Sequence, residues 1–340
     1  MRRSDRPPST LVPVGGELMD GFGRVHRDLR ISVTDRCNFR CRYCMPAEGL
    51  EWLPRDGLLS FEEISRVASL VVERFGIRSI RLTGGEPTVR AKLPDLVRLL
   101  SPLPVDLALT TNGATLRLLA AELAEAGLGR INVSLDSLRR DRFEELTLRD
   151  GLARVLDGIE AALAAGLSPV KVNVVVMRGV NDDELVDFAR FGRELGVTVR
   201  FIEFMPLDAE EAWSEAAVVS QEEILATIGA VYPLEPPARS NAPATRFRYM
   251  DGGGEIGVVA SVTQSFCDSC DRIRLTSDGQ FRNCLFAIEE FDLRGLLRSG
   301  ASDDEVADLV ERAVAAKWAG HGIGRVDFIR PARSMSQIGG

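Results

Sequence analysis

The chain has 340 residues, of which 45% are hydrophobic and 27% are charged, and its formal net charge is −8. This length is enough for one large domain and a smaller one, each with its own core. No apolar run reaches the roughly 18 residues that a membrane-spanning helix needs. The acidic balance gives no support to nucleic-acid binding. We therefore expect neither a membrane nor a nucleic-acid partner.

The N-terminal lead carries three arginines but no continuous apolar segment. It is therefore a poor match to a signal peptide. We predict a disordered lead over residues 1–20.

From residue 29 to about 230, short β-rich runs alternate with amphipathic stretches. The predicted strands are Leu29–Thr34, Ser79–Thr83, Val105–Thr110, Ile131–Leu135, Val170–Val176 and Val197–Phe204. The predicted helices include Phe61–Phe75, Leu116–Ala126, Ala153–Ala165 and Asp183–Leu195. Two helices begin with a capping box, Ser60 with Glu63 and Ser220 with Glu223. Such alternation indicates parallel strands in a barrel or a doubly wound sheet.

One face of at least five of these strands is polar, because residues two apart share a face. The polar sets are Arg30, Ser32 and Thr34; Arg81 and Thr83; Thr110 and Asn112; Asn132, Ser134 and Asp136; and Lys171 and Asn173. A closed eight-stranded barrel fills its interior with branched apolar side chains, so a polar interior indicates a ligand-filled lumen. On the sixth strand we expect Glu203 and Met205 to face that lumen. With six units visible, we predict an α/β fold, an incomplete (β/α)6 TIM-type barrel that is laterally open, over residues 21–235.

Past residue 232 the composition changes to a proline-rich linker followed by two hairpin signals. The hairpins pair Arg246–Tyr249 with Ile256–Val259, and Ile273–Leu275 with Gln280–Arg282. A helix is predicted near Asp303–Trp318. We expect a C-terminal α+β domain over residues 236–330, then a loose tail over residues 331–340 that ends in two glycines.

The six cysteines form two compact sets of three, which suits shared metal ligation in a reducing compartment such as the cytoplasm. The first set, Cys37, Cys41 and Cys44, follows the first strand, at the end where barrel enzymes place their chemistry. A cubane cluster takes four ligands and this loop offers three, so one iron would stay open. A structural zinc site would need a fourth ligand, and the chain has only two histidines, His26 and His321.

The segment Cys37–Cys44 closely resembles the cluster loop of the radical S-adenosylmethionine (SAM) superfamily. In that superfamily the open iron binds SAM, and one electron cleaves it to a 5′-deoxyadenosyl radical. Thr83–Pro87, closing the second strand, is similar to the superfamily's glycine-rich cosubstrate segment. Glycine there lets the backbone approach a ligand closely.

The second set, Cys267, Cys270 and Cys284, brackets Arg272–Arg274. With it, most of the chain resembles the GTP 3′,8-cyclases of molybdenum cofactor biosynthesis. The matching segments are Arg30–Cys37, Thr110–Gly113, Ile131–Asp136, Lys171–Asn173, Phe201–Pro206 and Gly339–Gly340. The resemblance implies two 4Fe–4S clusters, SAM, and cyclisation of GTP through a bond between ribose C3′ and guanine C8.

The resemblance also implies the roles of individual residues, and it implies no catalytic side chain, since the cluster and SAM generate the radical. The expected SAM contacts are Tyr43, Gly85, Ser134 and Met205. The expected GTP contacts are Arg30, Arg81, Thr110, Lys171, Arg272, Ile273 and Arg274. Independently, basic side chains on the polar strand faces of an acidic protein favour a polyanionic ligand.

The resemblance implies three protein partners: an external one-electron donor, a downstream cyclic pyranopterin monophosphate synthase and a second copy of the chain in a homodimer. We also expect the glycine tail to enter the lumen. Two alternatives stay open from the residues alone. One is a different radical SAM enzyme with an auxiliary cluster, such as a peptide-modifying one, and the other is a metal-binding redox module without catalysis.

Overall fold

The computed structural model describes residues 16–207, 213–237, 243–325 and 328–339. Most of the predicted lead, residues 1–15, lies outside this part of the chain. Residues 16–20 do not behave as a disordered lead, since Leu18 and Asp20 are buried. Main-chain bonds explain this: the Asp20 N–H donates to the Arg24 carbonyl, and the His26 N–H donates to the Leu18 carbonyl.

The strands of the described residues form one twisted sheet. They are β1 Asp28–Ser32, β2 Ser79–Thr83, β3 Asp106–Thr111, β4 Arg130–Ser134, β5 Val170–Val176, β6 Thr198–Glu203, β7 Thr245–Arg248, β8 Glu255–Val259, β9 Arg272–Leu275, β10 Gln280–Arg282 and β11 Phe291–Asp292. Their spatial order is β11-β10-β9-β1-β2-β3-β4-β5-β6-β8-β7. The run from β9 to β8 is parallel throughout. The sheet does not close, which confirms the predicted open barrel.

The helices include the crossovers between the parallel strands. They are α1 Phe61–Phe75, α2 Leu93–Leu100, α3 Leu116–Glu125, α4 Arg140–Thr147, α5 Leu152–Ala164, α6 Leu185–Leu195, α7 Gln221–Gly229, α8 Leu293–Arg298, α9 Asp303–Ala315 and α10 Met335–Ile338. Both predicted capping boxes are present, at Ser60 and at Ser220. Apolar residues at helical spacing, such as Ile64, Val67 and Val71 on α1, bury one face of each long helix in the core.

The C-terminal strands extend the barrel sheet at both edges. The two predicted hairpins form, as β7 with β8 and as β9 with β10. However, β9 also pairs with β1, and β8 pairs with β6. The predicted boundary at residues 235 and 236 therefore does not divide the sheet.

The end of the chain is also more ordered than the sequence suggested. The predicted loose tail contains the short helix α10, in which Ser336 and Ile338 are buried. Within the described residues, no helix combines the length and apolarity needed to cross a bilayer.

Candidate active site

The lumen of the open barrel is a single cavity of about 610 Å³. Lining it are both cysteine sets, the four expected SAM contacts and six of the seven expected GTP contacts. The exception is Ile273, whose side chain is fully buried in the hydrophobic core. Alternation along β9 explains this, because Arg272 and Arg274 face the lumen and Ile273 between them faces away.

Three arginines stand side by side on neighbouring strands. Arg274 of β9 is paired in register with Arg30 of β1, which is paired with Arg81 of β2. Like charges directly across a sheet repel each other. Only one carboxylate of the described residues lies near this row: Asp28 is 3.8 Å from Arg30 and 4.0 Å from Arg81. Burial and the charges of Arg81 and Arg272 lower the pKa of Arg30 to about 9.

Further cations face the same space from the other side of the barrel. Burial, followed by the charges of Arg200 and Arg130, lowers the pKa of Lys171 to about 8. Arg200 donates to the Asn173 side chain at 2.9 Å and to that of Asn132 at 2.7 Å. The sequence reasoning missed Arg200, although it shares the parity of Thr198 and Ile202, which also line the cavity.

The first cysteine set lies in a loop held between strand ends and α4. The N–H groups of Arg40 and Arg42 donate to the Thr147 and Leu146 carbonyls, at 2.9 and 3.1 Å. The N–H of Phe39 donates to Cys37 Sγ at 3.4 Å. Burial raises the pKa of the Cys37 thiol to about 11 and that of the Cys44 thiol to about 12, and the charge of Cys37 adds to the rise at Cys44. A bound metal would have to displace these protons.

The glycine turn after β2 packs directly against the start of the cysteine loop. A Cβ on Gly85 would lie 2.4 Å from the Asp35 carbonyl oxygen and 2.5 Å from that of Arg36. The Gly85 and Glu86 N–H groups donate to the Thr34 and Arg36 carbonyls, both at 2.8 Å. The glycine is thus needed for close backbone packing, in addition to its position on the lumen.

Glu86 anchors this turn to the end of β3. Its buried carboxylate accepts from the Thr111 hydroxyl and from the Asn112 N–H, both at 2.6 Å. The Asn112 side chain then donates to Asn38 Oδ1 at 2.7 Å. A continuous polar chain therefore connects the glycine turn, β3 and the cysteine loop.

Asp136 performs a similar role on the other side of the loop. Its Oδ2 accepts from the Tyr43 hydroxyl at 2.5 Å, and its Oδ1 accepts from the Val175 N–H at 2.8 Å. Burial raises the pKa of Asp136 to about 6. Asp136 thus faces the lumen as expected and holds Tyr43 in place.

Glu203, by contrast, does not face the lumen, and that interpretation was wrong. It shares the parity of the buried residues Val199 and Phe201. Its carboxylate accepts from the N–H groups of Gln221 at 2.9 Å and of Val262 and Thr263 at 2.8 Å each. These donors come from distant parts of the chain, so Glu203 joins α7 and the loop after β8 to the barrel.

The second cysteine set lies around the amino end of β9. Burial raises the pKa of the Cys270 thiol, but the positive charges of Arg272 and Lys317 outweigh it, and the pKa falls to about 7. Arg24 fixes the preceding cysteine by donating to the Cys267 carbonyl at 2.8 Å. Cys284 follows β10, which runs antiparallel to β9 and so returns to the same end.

The two cysteine sets are therefore at opposite ends of the lumen. The first follows the carboxyl end of β1, whereas Cys270 precedes the amino end of its parallel neighbour β9. A strand of five residues, the length of β1, separates them by roughly 17 Å at 3.3 Å per residue. The arginine row crosses the sheet between these two ends.

The tail enters the lumen between these ends. Met335 lines the cavity, and the Gly339 carbonyl accepts from Arg274. A Cβ on Gly339 would lie 2.9 Å from the Cβ of Ser32 and 3.0 Å from the Cγ2 of Thr83. Gly339 therefore fits against β1 and β2 where a larger residue would clash. The final residue, Gly340, lies outside the described part of the chain.

Each cysteine set offers three thiols as ligands for a metal centre. All six thiols are free and partly buried, and each set faces the lumen. In a cubane cluster each thiolate ligand binds a different iron. Three donors per set leave one iron of such a cluster open.

Solved structures share this fold. SAM-bound SuiB of Streptococcus suis aligns with a TM-score of 0.56 at 12% identity, over 84% of this chain and 68% of SuiB. Methylornithine synthase (PylB) aligns with a TM-score of 0.53 at 16% identity, over 85% of this chain and 87% of PylB. The Radical SAM superfamily matches residues 31–192, the part that includes the first cysteine set. Enzymes of this class use a 4Fe–4S cluster and SAM.

Relatives define the group within that class. Residues 197–323 match the family Molybdenum Cofactor Synthesis C. The GTP 3′,8-cyclase of Rhodopirellula baltica is 47% identical over 99% of this chain and 96% of its own. Those of Corynebacterium glutamicum and Mycobacterium tuberculosis are each 49% identical over 97% of this chain, and over 92% and 94% of their own. The chain belongs to the GTP 3′,8-cyclase family.

Proposed function

We propose that the protein is a GTP 3′,8-cyclase, a radical SAM lyase that converts GTP to (8S)-3′,8-cyclo-7,8-dihydroguanosine 5′-triphosphate. This reaction is the first step of molybdenum cofactor biosynthesis. When bound, the first cluster and SAM supply the one-electron chemistry that removes the ribose C3′ hydrogen, so that C3′ can bond to guanine C8. The protein's own residues bind, orient and enclose the two substrates.

The row Arg274, Arg30 and Arg81 carries this proposal for the substrate. Arg274 is buried, Arg30 and Arg81 are largely enclosed, and the only carboxylate within 4.0 Å of the three in the described residues is Asp28, which lies beside Arg30 and Arg81, so the row carries excess positive charge. Among the described residues, the Nε atoms of Arg30, Arg81 and Arg272 have no hydrogen-bond partner. A triphosphate would supply both the charge and the acceptors. Lys171 and Thr110 face the same space and complete the expected contacts.

For the cofactors, we assign Cys37, Cys41 and Cys44 to the first 4Fe–4S cluster. Tyr43, Gly85, Ser134 and Met205 line the same cavity, each at or after the carboxyl end of a parallel strand, and would contact SAM. We assign Cys267, Cys270 and Cys284 to a second 4Fe–4S cluster at the far end, which would bind the guanine through its open iron. Arg272 and Arg274 project from the strand that begins beside it.

The remaining partners follow from the same chemistry. An external one-electron donor must reduce the first cluster, and a cyclic pyranopterin monophosphate synthase would take the product. We place the protein in the cytoplasm, since six free thiols suit a reducing compartment. A homodimer is compatible with the family assignment.

The decisive experiment is anaerobic incubation with SAM, a reductant and each nucleoside triphosphate in turn, followed by mass analysis. We expect deoxyadenosine and a cyclised product from GTP alone. A full complement of two clusters corresponds to about eight irons per chain. Deoxyadenosine without any nucleotide product, or modification of an added peptide instead, would contradict the proposed substrate.

Two cysteine variants separate the roles of the clusters. Cys41→Ser is expected to abolish reductive cleavage of SAM. Cys270→Ser is expected to keep some uncoupled cleavage but lose cyclisation. Normal deoxyadenosine formation by Cys41→Ser with its second cluster intact would show that the first assignment is wrong.

A further inference from the structure

A buried lysine lies behind the second cysteine set. The chain has only three lysines, Lys92, Lys171 and Lys317, among its 42 basic residues. Lys317 is 2% exposed and follows α9, on the side of β9 that faces the N-terminal segment. A buried ammonium group is costly unless its charge and its hydrogen bonds are matched.

Each of the three ammonium protons of Lys317 has an acceptor. Nζ lies 2.8 Å from the Arg272 carbonyl oxygen, 2.8 Å from His26 Nε2 and 3.7 Å from Cys270 Sγ. Lysine only donates, so the imidazole nitrogen accepts and His26 is neutral. Burial, with the charges of Lys317 and Arg24, lowers the pKa of His26 to about 2, in agreement with that state.

Only the sulfur among these acceptors can carry a negative charge. Within the described ranges, no carboxylate lies within 4.0 Å of Nζ. Asp20 is near but is committed to Arg24, at 2.5 Å. Asp271 also interacts with Lys317 through its charge, but the atom in direct contact with Nζ that can become an anion is Cys270 Sγ, and the thiolates of a cluster would supply lasting negative charge at that position.

We propose that Lys317 is a positioning residue of the second cluster: its ammonium group neutralises and orients the Cys270 thiolate and fixes the main chain of Arg272. This inference depends on the proposed second cluster. Through one side chain, the cluster ligand and the start of the arginine-bearing strand β9 are held in a single geometry. A positive charge beside a cluster also favours its reduced, more negative state, which raises its reduction potential.

The test isolates the second cluster by replacing the first three cysteines with alanine, followed by anaerobic reconstitution. We compare Lys317→Met, which removes charge and hydrogen bonds, with Lys317→Gln, which keeps two donors, and Lys317→Arg, which keeps the charge. Lys92→Met is the control, because Lys92 is exposed and immediately precedes α2, far from this site in the chain. Circular dichroism shows whether each variant folds.

The readouts are iron content and the midpoint potential measured by electron paramagnetic resonance. We expect about four irons in the parent and in Lys92→Met. Lys317→Met should show a more negative midpoint potential and lower iron retention, Lys317→Gln an intermediate loss, and Lys317→Arg a potential close to that of the parent. Full iron content with an unchanged potential in both Lys317→Met and Lys317→Gln would overturn the inference.

The same measurements separate the role of Lys317 from the existence of the second cluster. If the parent protein fails to hold about four irons, the second cluster itself is absent and both ideas fail. If the parent holds them and Lys317→Met and Lys317→Gln behave like the parent, the second cluster stands and the role of Lys317 does not. A Lys317→Met protein that does not fold leaves Lys317→Gln and Lys317→Arg to decide.

Discussion

Lys171 should make GTP binding dependent on pH. In the free protein its pKa is about 8, because burial and the charges of Arg200 and Arg130 disfavour its charged form. A bound triphosphate would add negative charge beside it and raise that pKa. Below pH 8 the ammonium group is already present in the free protein. Above it, binding must take up a proton, so affinity should fall by up to tenfold per pH unit.

The size of the effect follows from the same contact. Lys171→Met removes one charge-assisted hydrogen bond, which is worth about 1.5–3 kcal/mol, or roughly 10- to 150-fold in affinity at neutral pH. The Lys171→Met substitution should also make GTP affinity less dependent on pH above pH 8. The side chain is only partly buried, so we expect relief of charge repulsion to stabilise the ligand-free variant by less than about 1 kcal/mol.

Calorimetry in buffers of different ionisation enthalpy measures both quantities. Near pH 8.5 the wild-type enzyme should take up protons on binding GTP, because the bound triphosphate raises the pKa of Lys171. Lys171→Met should take up fewer. Arg81→Met is the matched control. Burial lowers the pKa of Arg81 to about 10, so its guanidinium group is still charged near pH 8.5. This variant should therefore lose GTP affinity but keep the proton uptake that Lys171 causes. Equal proton uptake by wild type and Lys171→Met would refute the reasoning.

Three further predictions concern the supports of the lumen. Gly85→Ala should lower iron content and SAM affinity, since its Cβ would press on the Asp35 carbonyl oxygen 2.4 Å away; unchanged values would contradict this packing role. Glu203→Gln should lower the free energy of unfolding by about 1–3 kcal/mol in chemical denaturation, while GTP affinity stays unchanged, because its partners are structural donors. Deleting Gly339–Gly340 removes the acceptor of Arg274 and should sharply reduce cyclisation while GTP binding survives; a truncated enzyme with full turnover would show that the tail is dispensable.

Local patterns predicted the core of the fold well. The predicted strands Ser79–Thr83 and Val170–Val176 and the helix Phe61–Phe75 match the structure at both ends. Their periodicity and caps are encoded within a few residues, so no distant contact is needed to place them. The polar faces of these strands likewise indicated the lumen, because alternation alone decides which side a residue takes.

The sequence pattern did not predict which distant strands pair with each other. Hairpin signals located β7 to β10, but nothing local shows that β9 joins β1 or that β8 joins β6. The prediction that Glu203 faces the lumen was wrong for a related reason. A carboxylate on a strand was expected in a polar lumen, whereas three N–H donors from residues 221, 262 and 263 make a buried position on the other face favourable.

The pairing of β9 with β1 explains how two cysteine sets far apart in the sequence come to line one lumen. Strand β1 leads into the first cysteine loop, and β9 emerges from the second, so their parallel register fixes the two sets at opposite ends of one lumen. The same register aligns Arg274 with Arg30, which places the cationic row between the sets. A substrate held by its phosphates on that row would extend towards one set or the other. The separation between the two cysteine sets is therefore determined by strand length, and a change in the register of β9 would disturb both sets and the arginine row together.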